Sequence, residues 1–145
     1  MILWTDGSAS PNPGPGGYAV IKDGQPVALG AEKDSTNIRM EAQAIIAAIE
    51  YAREEGCEIH TDSEFWINVL TKWAPTWKAN GWKKKSGPIK NLELVQKAYD
   101  LYSTYPVKLI WVHGHSGVEM NELTDYWANQ ARAGATMQDW QNYQK

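Results

Sequence analysis

Three β-type runs follow one another within the first 31 residues, and from residue 37 onward helical and strand patterns alternate. That order most constrains the fold. Consecutive runs joined by short turns make an antiparallel meander, whereas strands separated by helices have crossovers long enough for parallel pairing. Residues 2–8 alternate and are rich in β-forming types, and residues 18–22 and 26–31 supply the second and third strands. Asp23-Gly24 between those two is a hairpin signal. The run Pro11-Asn-Pro-Gly-Pro-Gly-Gly17 reads as a turn. Over residues 37–55, Ala42, Ile45, Ile49 and Ala52 recur at helical spacing, and Gly56 stops the helix. Residues 57–62 are a short strand, after which Ser63 can cap a helix through about residue 72. Residues 91–103 are helical up to Pro106, residues 107–112 form a strand, and residues 119–132 a helix striped by Leu123, Trp127 and Ala131. The tail after Gly134 is polar and receives no element. The expectation is an α/β fold around a five-stranded mixed sheet. With no repeat and no linker in its 145 residues, the chain is expected to be one domain, 1–145.

An apolar fraction of 43% suits a chain that folds on its own. The single cysteine, Cys57, excludes an intramolecular disulfide and favours a reducing compartment. The first residues lack a signal-peptide pattern, and no segment approaches the roughly 20 apolar residues of a membrane span. A soluble, cytoplasmic protein is expected. The net charge of −3 argues against a polyanionic partner until its distribution is considered. Residues 65–92 contain no Asp or Glu but six lysines: Lys72, Lys78, Lys83, Lys84, Lys85 and Lys90. Removing those +6 charges from −3 leaves −9 on the rest. Local potential governs polyanion binding more than the total does, although a lysine run is equally compatible with plain solvated surface.

Four carboxylates stand where carboxylates are costly. Asp6 interrupts the first strand pattern and Asp62 ends another. Glu41 shares its helix stripe with Ile45, Ala48 and Ala52, and Asp125 lies mid-helix, three residues before Ala128. Any one of them could sit at the edge of a face, satisfied by water or a cap. Four on four elements suggest convergence, and divalent cations would offset the repulsion because they prefer oxygen donors. In Trp111-Val-His-Gly-His-Ser-Gly117, the histidines could be metal ligands. Hard-oxygen ligands suit magnesium, so a proton-transfer role is the better reading for one of them.

These residues resemble the type 1 ribonuclease H family over roughly residues 2–133. The motifs are Thr5-Asp-Gly-Ser8 with Asn12-Pro-Gly-Pro-Gly-Gly17, Thr36-Asn-Ile-Arg-Met-Glu-Ala42, and Thr61-Asp-Ser63. To these are added Trp73, Trp77 and Gly81-Trp82, then Val112-His-Gly-His-Ser-Gly117 with Asn121-Glu and Asp125. Each is weak alone; all in order, with compatible gaps, are specific. The resemblance implies the ribonuclease H-like fold, strand order 3-2-1-4-5 with helices on both faces. It implies hydrolysis of the RNA strand of an RNA–DNA hybrid by two Mg2+ ions, with Mn2+ as a substitute, leaving 5′-phosphate and 3′-hydroxyl ends. Asp6, Glu41, Asp62 and Asp125 become the metal-binding tetrad: Asp6 and Asp125 for the ion that activates water, and Asp6, Glu41 and Asp62 for the one at the leaving oxygen. His115 matches the family's loop histidine. Gly7, Ser8, Asn12 and Asn37 match readers of the minor groove and the 2′-hydroxyls. Thr36, Arg39 and Asn91 match a pocket for a DNA-strand phosphate. The segment of about 73–90 matches a basic protrusion in which Trp77 and Trp82 shape a groove and Lys78, Lys83, Lys84 and Lys85 meet phosphates. Trp73 is expected to be packing alone.

Ile38 and Glu64 depart from the family's usual Asn and Gln, which bears on hybrid affinity rather than catalysis. No additional hybrid-binding domain precedes the motifs, so low processivity is expected, as are a monomer and no obligate protein partner. Other readings are a resolvase, transposase or integrase of the same superfamily, a non-catalytic hybrid-binding module, or a structural domain. The asparagine pair and the basic segment argue against the first; the full acidic set argues against the others.

Overall fold

Asp23 and Gly24 both take positive φ, 54° and 79°, so the expected hairpin forms with Lys22 paired to Gln25. It joins β2 (Gly14–Lys22) to β3 (Gln25–Ser35), and β2 runs antiparallel to β1 (Ile2–Ala9). On its other side β1 pairs in parallel with β4 (Cys57–Thr61), which pairs in parallel with β5 (Val107–Trp111). The sheet order is therefore β3-β2-β1-β4-β5, as expected. The structure is a computed structural model and describes residues 1–113 and 119–144.

Strand alternation sends side chains to two cores. Leu3, Val20 and Ile59 pack with α1 (Asn37–Ala52) and α4 (Leu92–Thr104) through Ile45, Ile49, Val95 and Ala98. Trp4, Ala19 and Ile21 pack on the opposite face against Leu123, Trp127 and Ala128 of α5 (Glu119–Arg132). Two glycines set how closely these helices approach. A Cβ at Gly7 would overlap the backbone of Met40, and one at Gly17 would overlap that of Ala128 and Arg132. The first contact brings the start of α1 onto β1; the second brings α5 onto β2.

Several boundaries differ from expectation. The run expected as a turn already belongs to β2 from Gly14, which pairs with Ser35, so β3 extends past Ala31. Glycines in a strand mark close backbone approach as well as turns, and here they admit the helices. Helix α1 ends at Ala52, with a 3-10 turn over Arg53–Glu55. Asp62 lies just beyond β4 rather than within it. The helix capped by Ser63 does not stop near residue 72. It begins as α2 (Glu64–Asn68), widens into a π-helical turn at Val69–Trp73 and continues as α3 (Ala74–Ala79), with Pro75 in the first turn of α3. The tail holds an unanticipated helix, α6 (Met137–Tyr143), started by a capping box between Thr136 and Asp139. Trp73 is not simply packed: it is 40% exposed and meets Phe65 and Trp77 at centroid distances of 5.8 and 6.2 Å. Among the described residues no helix is long and apolar enough to cross a membrane.

Candidate active site

The period of β1 turns Asp6 toward the α5 face, where it is 7% exposed and accepts a 2.9 Å hydrogen bond from the Gly7 N–H. Glu41 lies one residue beyond the Met40–Gly7 contact. Asp62 lies where the chain leaves β4, beside β1. Asp6, Glu41 and Asp62 each place an oxygen within 4.8 Å of the others. Asp125, on α5, lies near enough to Asp6 for its carboxylate to help raise the Asp6 carboxyl. Three of the four carboxylates proposed from the sequence form a tight triad, and Asp125 stands outside it, beside Asp6.

Burial and crowding make this centre proton-hungry. Loss of solvent, then the charge of Asp62, then the hydrogen bond and charge of Asp125 push the Asp6 carboxyl up to about 9. Burial raises Glu41 to about 7 despite a hydrogen bond from Ser63, which lowers it. Such a cluster is costly unless a proton or a cation supplies positive charge. Its donors are all hard oxygens, on a buried floor that opens toward the half-exposed Glu41, Asp62 and Asp125. These residues fit a divalent ion of the magnesium or manganese type.

Residues not singled out as site residues support the acids. Ser63 both contacts Glu41 and accepts the Trp66 N–H at 3.2 Å. Asn129 donates to Asp125 at 3.4 Å and accepts from Ser8 at 3.4 Å and Arg132 at 3.2 Å. Its position one helical turn after Asp125 was the available signal.

Toward the end of β1, the Asn12 side-chain Oδ1 accepts the Asn37 backbone N–H at 3.2 Å, and the Asn37 side-chain Oδ1 accepts the Ala9 backbone N–H at 2.7 Å. The two asparagines lock together with their Nδ2 donors uncommitted to those bonds. Thr36 caps α1 by accepting the Arg39 N–H at 3.2 Å, and the Arg39 guanidinium reaches Asn91 at 3.1 Å. Thr36, Arg39 and Asn91 are therefore one cluster. It also contains two unforeseen acids, Glu32 and Glu93, at 3.4 and 2.7 Å from Arg39. Neither lies in a motif; each arrives from a different element.

Lys83, Lys84 and Lys85 are exposed beyond α3, with the Lys84 ammonium 5.9 Å from the Trp77 ring centroid. Lys78 lies 5.9 Å from the Tyr99 centroid, and Trp82 meets the same ring edge-on at 6.3 Å. A cavity of about 400 Å³ opens between α2, α3 and the start of α4, lined by Ile38, Phe65, Trp73, Trp77 and Asn91 among others. Ile38 therefore contributes to an apolar wall. His115 lies outside the described residues.

Comparison with known proteins agrees with this geometry. The RNase H family model matches residues 1–133. A ribonuclease H of Parvibaculum lavamentivorans is 42% identical over 136 residues, covering 90% of this chain and 91% of that protein. A ribonuclease H of Methylorubrum extorquens is 38% identical over 138 residues; the match covers 92% of this chain but 60% of that longer protein. The crystal structure of LC9-RNase H1, a type 1 RNase H with the type 2 active-site motif, superposes with a TM-score of 0.75 at 28% identity, covering 93% of this chain and 74% of its own. The family match spans the whole sheet, and α1 and α5 with it, so every element that carries one of the four acids lies inside it. The chain belongs to the RNase H family.

Proposed function

We propose that Asp6, Glu41, Asp62 and Asp125 hold two divalent ions, Mg2+ or Mn2+, and that through them the protein, a ribonuclease H, hydrolyses the RNA strand of RNA–DNA hybrids. The observation that carries this is the convergence of four carboxylates from β1, α1, the end of β4 and α5 on a centre whose inner member is buried. When bound, the ions supply Lewis acidity and a water nucleophile for in-line displacement at phosphorus, leaving 5′-phosphate and 3′-hydroxyl ends. The chain's own contribution is placement. Asp6 and Asp125 hold one position; Asp6, Glu41 and Asp62 hold the other. Ser63 and Asn129 restrain Glu41 and Asp125. His115 assists proton movement.

The locked pair Asn12 and Asn37 offers amide donors to acceptors in a minor groove and to 2′-hydroxyl oxygens, with the backbone of Gly7 and Ser8 beside them. Thr36, Arg39 and Asn91 grip a phosphate of the DNA strand. Lys78, Lys83, Lys84 and Lys85 add contacts that position the duplex without reading sequence, and Trp77 and Trp82 form the wall behind them. The whole chain acts as one domain, as a monomer in the cytoplasm.

The test is a hybrid labelled separately on each strand, incubated with Mg2+, with Mn2+ and with EDTA. Metal-dependent cleavage of the RNA strand alone supports the reading. Equal cutting of duplex DNA would sink it.

A further inference from the structure

Arg39 would meet a phosphate with a charge already matched on both sides. Glu32 and Glu93 both reach its guanidinium, yet the two acids are held differently. Glu32 also accepts from the Ser35 hydroxyl at 2.7 Å and from Gln43 at 3.3 Å, so it is fixed in a network. Its oxygen lies 3.4 Å from Arg39 Nε, which braces the guanidinium from behind. Glu93 is 67% exposed at its side chain and makes the shorter contact, 2.7 Å to Arg39 Nη1. That same nitrogen donates to Asn91. A phosphate held jointly by Arg39 and Asn91 would therefore need the space and the charge that the Glu93 carboxylate now takes.

Glu93 can also leave at little cost. It sits in the first turn of α4, where the helix dipole favours an anion. Swinging off Arg39, it returns to water and stays at the positive end of α4. An exposed ion pair is weak in itself, whereas a duplex brings several phosphates at once.

We infer that Glu93 is a built-in competitor for the DNA-strand phosphate. Its carboxylate occupies Arg39 in the free protein and gives way when a hybrid docks, so residue 93 sets affinity without entering the chemistry. This rests on the reading of Thr36, Arg39 and Asn91 as a phosphate pocket.

The experiment measures binding of a fluorescent RNA–DNA hybrid by anisotropy in EDTA, across a salt series, with kcat and KM taken separately in Mg2+. Glu93→Gln keeps the size of the side chain and removes its charge. It should bind about three-fold more tightly at low salt, on the order of one exposed ion pair, with kcat unchanged. The log–log salt slope should steepen by up to about 0.9, one phosphate contact. Glu54→Gln, in the 3-10 turn beyond the far end of α1, makes the same change in net charge and should do neither. In an Arg39→Ala background the gain from Glu93→Gln should vanish. Equal or weaker binding by Glu93→Gln, or a gain that survives Arg39→Ala, overturns the inference. Hybrid binding by Arg39→Ala that matches the parent overturns the pocket beneath it as well.

Discussion

Asp6 stands in three relations at once: it is buried, it faces Asp62, and it lies beside Asp125. In metal-free protein its carboxyl is raised to about 9 from 3.8, so the native state holds a proton that the unfolded state has released. Stability must then fall as pH rises, from about 4 up through about 9, and Glu41 adds to the slope between about 4.5 and 7. Asp6→Asn removes the largest contribution. In EDTA at pH 8, urea denaturation should show the variant to be more stable than the parent, with a flatter dependence on pH. The same variant should lose hydrolysis of hybrid, by at least about 10³-fold on the scale of losing a central electrostatic group. Near-normal magnesium-dependent turnover by Asp6→Asn would remove the tetrad from the mechanism. These acids were legible in the sequence because each breaks an apolar pattern. Glu32, Glu93 and Asn129 break none. The roles of Glu32 and Glu93 come from Arg39, which the fold delivers from another element, so local pattern carried no trace of them; Asn129 left only its spacing of four from Asp125.

Among elements, the approach of α1 to β1 matters most, because it carries Glu41 to Asp6. Gly7 permits that approach, and any Cβ there must displace the Met40 backbone. Gly7→Ala should destabilise by about 1–3 kcal/mol, the usual cost of overpacking, read from chemical denaturation. It should also lower kcat by up to about 10²-fold, since the shift falls on a positioned carboxylate. An unchanged kcat would mean that α1 relaxes without moving Glu41. The strand order was readable at this scale from the succession of patterns and from the resemblance. The π-helical turn was not: Val69–Trp73 contains no breaker, and its widening is recorded only in hydrogen bonds. Helix α6 was missed although Thr136 and Asp139 form a capping pair, because its sequence is mostly polar and offers no apolar stripe; its Trp140 meets Trp127 at 5.1 Å. That helix lies beyond the family match and away from the acids. Trp140→Ala should cost about 1 kcal/mol of stability, the scale of one aromatic pair, and leave turnover as it was.

At the scale of the whole molecule, a chain of net charge −3 is expected to hold a polyanion, and the division of its charge makes that consistent. Among the described residues Asp6, Glu41 and Asp62 crowd together beside β1, where cations would cancel them. The lysines lie beyond α3 in the stretch that lacks acids, and Lys84 and Lys90 line the apolar cavity there. A duplex laid across both would meet metal-neutralised carboxylates at one strand and ammonium groups at the other. Replacing Lys83, Lys84 and Lys85 together with Ala removes three exposed charges without touching the cores. If all three meet phosphates, the log–log salt slope of hybrid binding should shrink by up to about 2.7, at roughly 0.9 per contact. KM should rise, and kcat should hold, because none of the three lies in the acidic cluster. The two arms of this measurement separate binding from chemistry. A fall in kcat at saturating hybrid would show that the segment helps to set the register of the scissile phosphate. An unchanged slope would reduce the lysines to solvated surface and leave the electrostatic attraction to Arg39 and the bound cations.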